Sequence, residues 1–180
     1  MSRIFVFASV ILFGLSSCSS TSSKYFYTDS LQDNYRWSSD DLKKIQFYLS
    51  ENIVLWKDVR SDKSTITDGK IKTIDGRLVE EIVIKAGTPG VYLFSPQKDH
   101  FAITFDPNDD SKYLVFGPSN KMRGRYVLLA KSWDRNLGKV TYGDQLYNTN
   151  SNSAFVHLMV EIKKTGKTKV VSSTPSGRKV

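Results

Sequence analysis

Turn dipeptides punctuate this chain at short intervals. Asp68-Gly69 and Asp75-Gly76 bracket Lys70-Ile71-Lys72-Thr73-Ile74, Gly87-Thr88-Pro89-Gly90 precedes another apolar run, and Gly143-Asp144 separates residues 139–142 from 145–147. Asp-Gly pairs favour hairpins because a type I′ turn needs φ > 0 at both central residues. The runs between these turns are short and rich in β-branched and aromatic residues. They predict strands at 53–56, 65–67, 70–74, 77–85, 91–94, 101–105, 113–116, 125–130, 139–142, 145–147 and 155–162. In 101–105 large and small residues alternate, as in a half-buried strand. In the last run Val156, Leu158, Val160 and Ile162 share one face. Short strands at this turn spacing predict a mainly β fold, an antiparallel sandwich or small barrel with one N-terminal helix. No parallel βαβ pattern and no fixed-period repeat is visible.

That helix is expected from Ser39 as N-cap, with Asp40 and Asp41 in the first turn. Leu42, Ile45 and Leu49 recur at helical spacing with Phe47 and Tyr48 beside them, and the helix should end near residues 50–52. Residues 24–37 hold Tyr25, Phe26, Tyr27, Tyr35 and Trp37 among polar residues, an aromatic lead-in expected to pack along the domain.

With 180 residues the chain is long enough for one domain with its own core. Apolar residues at 39% and charged residues at 24% exclude wholesale disorder. One Cys excludes an intrachain disulfide and a cysteine-based zinc site, and two His argue against a multi-histidine metal centre.

The N-terminus reads as an address. Arg3 supplies a positive charge, residues 4–15 are uncharged and mostly apolar, and small residues follow. A bilayer-spanning helix needs ~20 apolar residues, so this stretch is short for an anchor and has the form of a signal peptide. Leu15-Ser16-Ser17-Cys18 resembles the lipobox of bacterial lipoproteins. The resemblance implies removal of residues 1–17, diacylglycerol on the Cys18 thiol and acylation of the new amino terminus. More than one long chain gives stable membrane residence, at ~0.8 kcal/mol per buried methylene. Ser19, where lipoproteins kept in the inner membrane carry Asp, implies the outer membrane of a double-membraned cell. Without an acidic run after Cys18, a periplasm-facing domain is expected. The expected organisation is a signal peptide (1–17), a lipidated Cys with tether and aromatic lead-in (18–37), a helix plus β-domain (38–162) and a basic tail (163–180).

The net charge of +8 is unevenly spread. Residues 163–180 hold six basic side chains and no acid, whereas residues 18–162 hold 19 basic and 18 acidic ones. A basic tail containing Lys163, Lys164, Lys167 and Lys169 suits anionic head groups, acidic polymers or a partner, though a solvated tail that aids solubility explains it as well. A smaller cluster, Lys121, Arg123 and Arg125, follows Gly117-Pro118-Ser119-Asn120 and offers an anion contact, though a hydrated hairpin tip explains it as well.

Complete catalytic sets are missing from the sequence. Asp106, Asn108 and Asp110 have calcium-loop spacing, but Ser111 stands where the loop needs Gly and Gly117 where it needs Glu, so a turn is the simpler reading. Asp99-His100 with Ser95 nearby lacks a nucleophile elbow. His157 lies opposite Val156, Leu158 and Val160 and is expected semi-exposed. Glu80 and Glu81 are strand neighbours pointing to opposite faces, both expected as surface or edge charges. Trp56, Trp133, Tyr92, Tyr142 and Tyr147 are available for stacking on sugar or peptide, or for the core.

These observations favour a lipid-anchored, non-enzymatic envelope domain without a cofactor. It would bind a protein or an envelope polymer, anionic polymers included, or play a structural role. Nucleic acid is not an expected partner. The alternatives are a hydrolase of glycan or peptide, using two or more of Asp99, His100, Asp134, Asp144 and His157, and a small-ligand carrier with an apolar interior.

Overall fold

Alternation, not helical periodicity, governs the chain after the first turn beyond Ser38. In the computed structural model, which describes residues 23–59, 69–74 and 76–162, the expected helix lasts only from Ser39 to Leu42 (α2). Its N-cap is Ser38 rather than Ser39, in a capping box with Asp41. Gln46–Leu49 is a strand. Phe47 and Leu49 are fully buried two residues apart, and Tyr48 between them is only half-buried. Leu42, Ile45 and Leu49 have helical spacing, but Phe47 and Leu49 also satisfy a period of two, and pairing on both strand edges outweighs the local preference.

Two antiparallel sheets form the domain. The first has seven strands in the order β1 (Ser23–Phe26), β13 (Leu158–Ile162), β2 (Gln46–Leu49), β6 (Pro89–Phe94), β7 (Phe101–Thr104), β8 (Tyr113–Ser119) and β9 (Arg125–Leu128). The second has six, in the order β10 (Ser132–Asp134), β11 (Leu137–Tyr142), β12 (Gln145–Asn150), β3 (Ile53–Asp58), β5 (Arg77–Ile84) and β4 (Lys70–Ile74). The arrangement is a β-sandwich. The seven-stranded sheet curls, so that β9 meets the chain beside β1 and β13 through isolated bridges Thr28–Arg125 and Val127–His157 without closing. Tyr126 N–H donates to Tyr27 O at 3.0 Å and Leu128 N–H to Val156 O at 3.3 Å across this seam.

The aromatic lead-in is part of this architecture. Its first residues are β1, paired with β13, and it also holds a helix, α1 (Asp29–Tyr35), that the sequence does not announce by periodicity. Thr28 caps α1 by accepting from Leu31 N–H at 3.0 Å, and Arg36 ends it in the left-handed region at φ 48°. The lead-in packs on the domain as expected. The Tyr27 ring is fully buried against Trp37, Phe47, Phe101 and Tyr126, at centroid distances between 4.9 and 5.7 Å. Burying one such ring contributes about 1.5–3 kcal/mol.

Other expected strands appear with shifted ends. Gly117, Pro118 and Ser119 lie within β8 rather than in a loop. The strand at 101–104 is buried along its whole length rather than on one face. Residues 151–155, the start of the last expected strand included, form a 3-10 turn capped by Asn150. The Gly143-Asp144 hairpin has both central residues at positive φ, 53° and 54°, the geometry of a type I′ turn. The expected strand 65–67, Asp68, Asp75, the N-terminal segment with Cys18, and the tail with Lys163, Lys164, Lys167 and Lys169 lie outside the described residues.

Candidate functional site

Strand parity decides which side chains of the six-stranded sheet reach solvent. On β3, Ile53, Leu55 and Lys57 point towards the seven-stranded sheet, and Val54, Trp56 and Asp58 to the outer face. On β12, Tyr147 and Thr149 are buried while Asn148 and Asn150 lie on the outer face. Val54, Trp56, Asp58, Arg77, Glu81, Leu137, Asn148 and Asn150 together line a cleft of about 390 Å³ on that face. This size is at the lower end of ligand-binding clefts, ~300–1,000 Å³.

The pairing register builds the cleft floor as a row. Lys139 on β11 pairs with Asn148 on β12, Asn148 with Trp56 on β3, Trp56 with Glu81 on β5, and Glu81 with Lys70 on β4. Directly paired residues share a face, so one line crosses five strands, ~19 Å at ~4.8 Å per strand. The acidic groups of the cleft are matched. The Glu81 carboxylate accepts from Lys72 Nζ, and Asp58 Oδ1 lies 3.8 Å from Arg77 Nη1. Asn148 makes no side-chain hydrogen bond among the described residues. Asn150 uses its carboxamide oxygen to accept from Ser153 N–H at 3.2 Å.

The opposite face of the same strands is built for stability. Glu80 is a buried residue, 1% exposed, rather than a surface charge. It receives Lys57 Nζ at 2.9 Å and Gly69 N–H at 3.1 Å. The Lys57 ammonium also donates to Gln145 and sits 5.1 Å from the Tyr147 ring centroid. Burial opposes the Lys57 charge, but Glu80 and Tyr147 outweigh it and raise the pKa. Glu81, next in sequence, is on the cleft face, so the two carboxylates point apart as their adjacency requires.

Of the five aromatic candidates, Tyr92, Tyr142 and Tyr147 are core residues. Trp133 lies over Gly138, where an added Cβ would come within 2.6 Å of the indole and displace it. Trp56 alone of the five lines the cleft.

The catalytic candidates are dispersed. Among the described residues, none of Asp99, His100, Asp134, Asp144 and His157 hydrogen-bonds another. His100 Nδ1 is 2.7 Å from Lys98 O, and Asp99, at φ 56°, lines a shallow depression with Gln32, Asp33, Arg36 and Trp37. Ser95 Oγ lies 3.0 Å from the Tyr92 hydroxyl. His157 is 9% exposed, at the border of burial rather than semi-exposed, with its ring against Phe26 and Nδ1 unpartnered among the described residues. Burial, then the nearby Arg125, lower its pKa, against a smaller opposing effect of Glu51.

The acidic turn is held together by its own bonds. Asp106 Oδ1 accepts from the backbone N–H of Asn108 and Asp109 at 2.8 and 3.1 Å. Lys112 Nζ lies 3.5 Å from Asp106 Oδ2 and 3.7 Å from Asp109 Oδ2, so an ammonium sits where a cation would. No group of three or more metal-ligating side chains occurs among the described residues. In the basic cluster, Lys121 and Arg123 are exposed, whereas the Arg125 guanidinium lies 4.0 Å over the Phe26 ring. Gly124 beside them, at φ 71°, touches the Asp29 carboxylate so closely that a Cβ there would lie 2.0 Å from Oδ1.

Sequence reasoning named Trp56 without separating it from the core aromatics, and missed Asn148, Arg77, Asp58 and Leu137. The available signal is the alternation of Asn148 and Asn150 with Tyr147 and Thr149 beside a turn of known type. No protein-family model, curated protein or solved structure matches the chain.

Proposed function

We propose that this chain is a lipid-anchored, non-enzymatic domain of the cell envelope that binds an envelope component through the outer face of its six-stranded sheet. The cleft around Trp56 carries this reading. It combines a half-buried indole, matched charges and the uncommitted Asn148 carboxamide on a rigid sheet. The lipobox-like Leu15-Ser16-Ser17-Cys18 supplies the anchor, with the outer membrane as the favoured site and the domain facing the periplasm. The basic residues from 163 onward add attraction to anionic head groups or polymers.

The hydrolase alternative has less support, because no two of its five candidate side chains hydrogen-bond each other among the described residues. A carrier would need space now held by the Tyr27, Phe47, Phe101 and Tyr126 rings. Cys18→Ala tests the anchor. The variant is expected in the soluble fraction, and a variant that stays membrane-bound at unchanged precursor size contradicts lipid anchoring.

A further inference from the structure

We infer that the Trp56 row is a binding platform for an uncharged glycan strand lying across the β-strands; the inference rests on the cleft reading above and specifies its ligand. Three features of the row choose this class. The first is a half-buried indole at its centre, on the outer face between Asn148 and Glu81. A pyranose ring presents a flat face of C–H groups that packs on such a surface, while its hydroxyls point sideways. The second is the pair of flanking side chains at strand spacing on either side of that ring. Asn148 offers both a donor and an acceptor, and Glu81 offers carboxylate oxygens, which matches hydroxyls that donate and accept at the ring edge.

The third feature is charge. Glu81 is matched by Lys72 and Asp58 by Arg77, so the cleft is close to electrically neutral. A polyanion would gain little from matched pairs, and a cationic ligand would have to displace an ammonium or a guanidinium already in place. A hydroxyl-rich neutral ligand requires neither exchange. Lys139 and Lys70 end the row two strands, ~9.6 Å, to either side of Trp56, beyond a Debye length of ~8 Å, so they add little charge at the indole and supply further donors at the ends. The direction follows from the register: contacts succeed one another across the strands, so a chain of linked sugars meets Lys139, Asn148, Trp56, Glu81 and Lys70 in turn. The row is long enough for several sugar units, whereas the cleft itself grips the part over Trp56.

The test uses the full chain carrying Cys18→Ala and two probes of equal length, a β-1,4-linked N-acetylglucosamine tetramer and a tetragalacturonate. Binding is read by titration calorimetry and by amide shifts in β3, β5, β11 and β12. The neutral tetramer is expected to bind with little salt dependence, to weaken about tenfold or more in Trp56→Ala, and to be largely retained in Trp56→Phe. Asn148→Ala should weaken it severalfold, and Trp133→Ala should not. Tetragalacturonate binding alone, with a steep salt dependence, would overturn the neutral-ligand inference. So would failure of both sugars while Trp56→Ala still abolishes retention on washed envelopes, a result that leaves the cleft reading standing. Failure of both sugars together with envelope retention indifferent to Trp56→Ala would overturn both.

Discussion

Tyr27, Phe47, Phe101 and Tyr126 pack against one another inside the curl of the seven-stranded sheet, whereas Trp56 stands on the outer face of the six-stranded sheet among Asn148, Glu81 and Arg77. Apart from Tyr27, which follows β1, both groups come from strands. The difference lies in parity and in covering. The seven-stranded sheet bends round its aromatic cluster, and the chain before it, from Tyr27 through α1 to Trp37, packs against that cluster. The six-stranded sheet gives one face to the core, and on its other face Val54, Trp56, Asn148 and Leu137 keep access to solvent, although Val79 there is buried. Buried aromatic residues of both sheets therefore serve stability, whereas Trp56 on the outer face is the one proposed for recognition, and substitutions should separate the two.

The largest expected effect is in the aromatic cluster. Tyr126→Ala removes a fully buried ring that touches Tyr27 and Phe101, and should cost about 3–5 kcal/mol, read as a drop in denaturation midpoint. A loss below about 1 kcal/mol would mean the cluster is not the centre of stability. A smaller effect belongs to the seam of the same sheet, where His157 pairs with Val127. Its pKa is lowered from 6.5 by burial, then by Arg125. The unfolded chain therefore takes up a proton first as pH falls, and stability drops from about pH 7 downward until the folded form also protonates. Tm measured between about pH 7.5 and 5 should show this slope, flattened in His157→Gln; identical slopes would remove His157 as its source.

Much of the fold was legible because turns and alternation are local. The hairpin at Gly143-Asp144 and the strands around 53–58, 77–84 and 139–147 follow from dipeptides and period two. The failures share a cause, which is long-range pairing. Gln46–Leu49 carries helical spacing, and becomes a strand because β6 and β13 are there to pair with it. Ser23–Phe26 is polar enough to read as lead-in, and becomes β1 because β13 offers an edge. Glu80 reads as a surface charge because nothing near it in sequence announces Lys57, which lies 2.9 Å away across β3 and β5. The cleft was only partly legible for the same reason. Trp56 can be named from the sequence, but Asn148 and Glu81 become its neighbours only through register.

A photocrosslinking residue placed in turn at Leu137, beside the cleft, and at Phe94, on the other sheet, tests the division of labour most directly. The two native side chains are similarly exposed, at 38% and 42%, so accessibility alone predicts equal yields. Trp56→Ala removes a half-buried indole and should cost about 1–2 kcal/mol, less than Tyr126→Ala and too little to unfold the domain. In envelopes of living cells a carbohydrate-positive adduct is expected from Leu137, abolished by Trp56→Ala, and none from Phe94. Equal adducts from both positions, or an adduct from Phe94 alone, would contradict it.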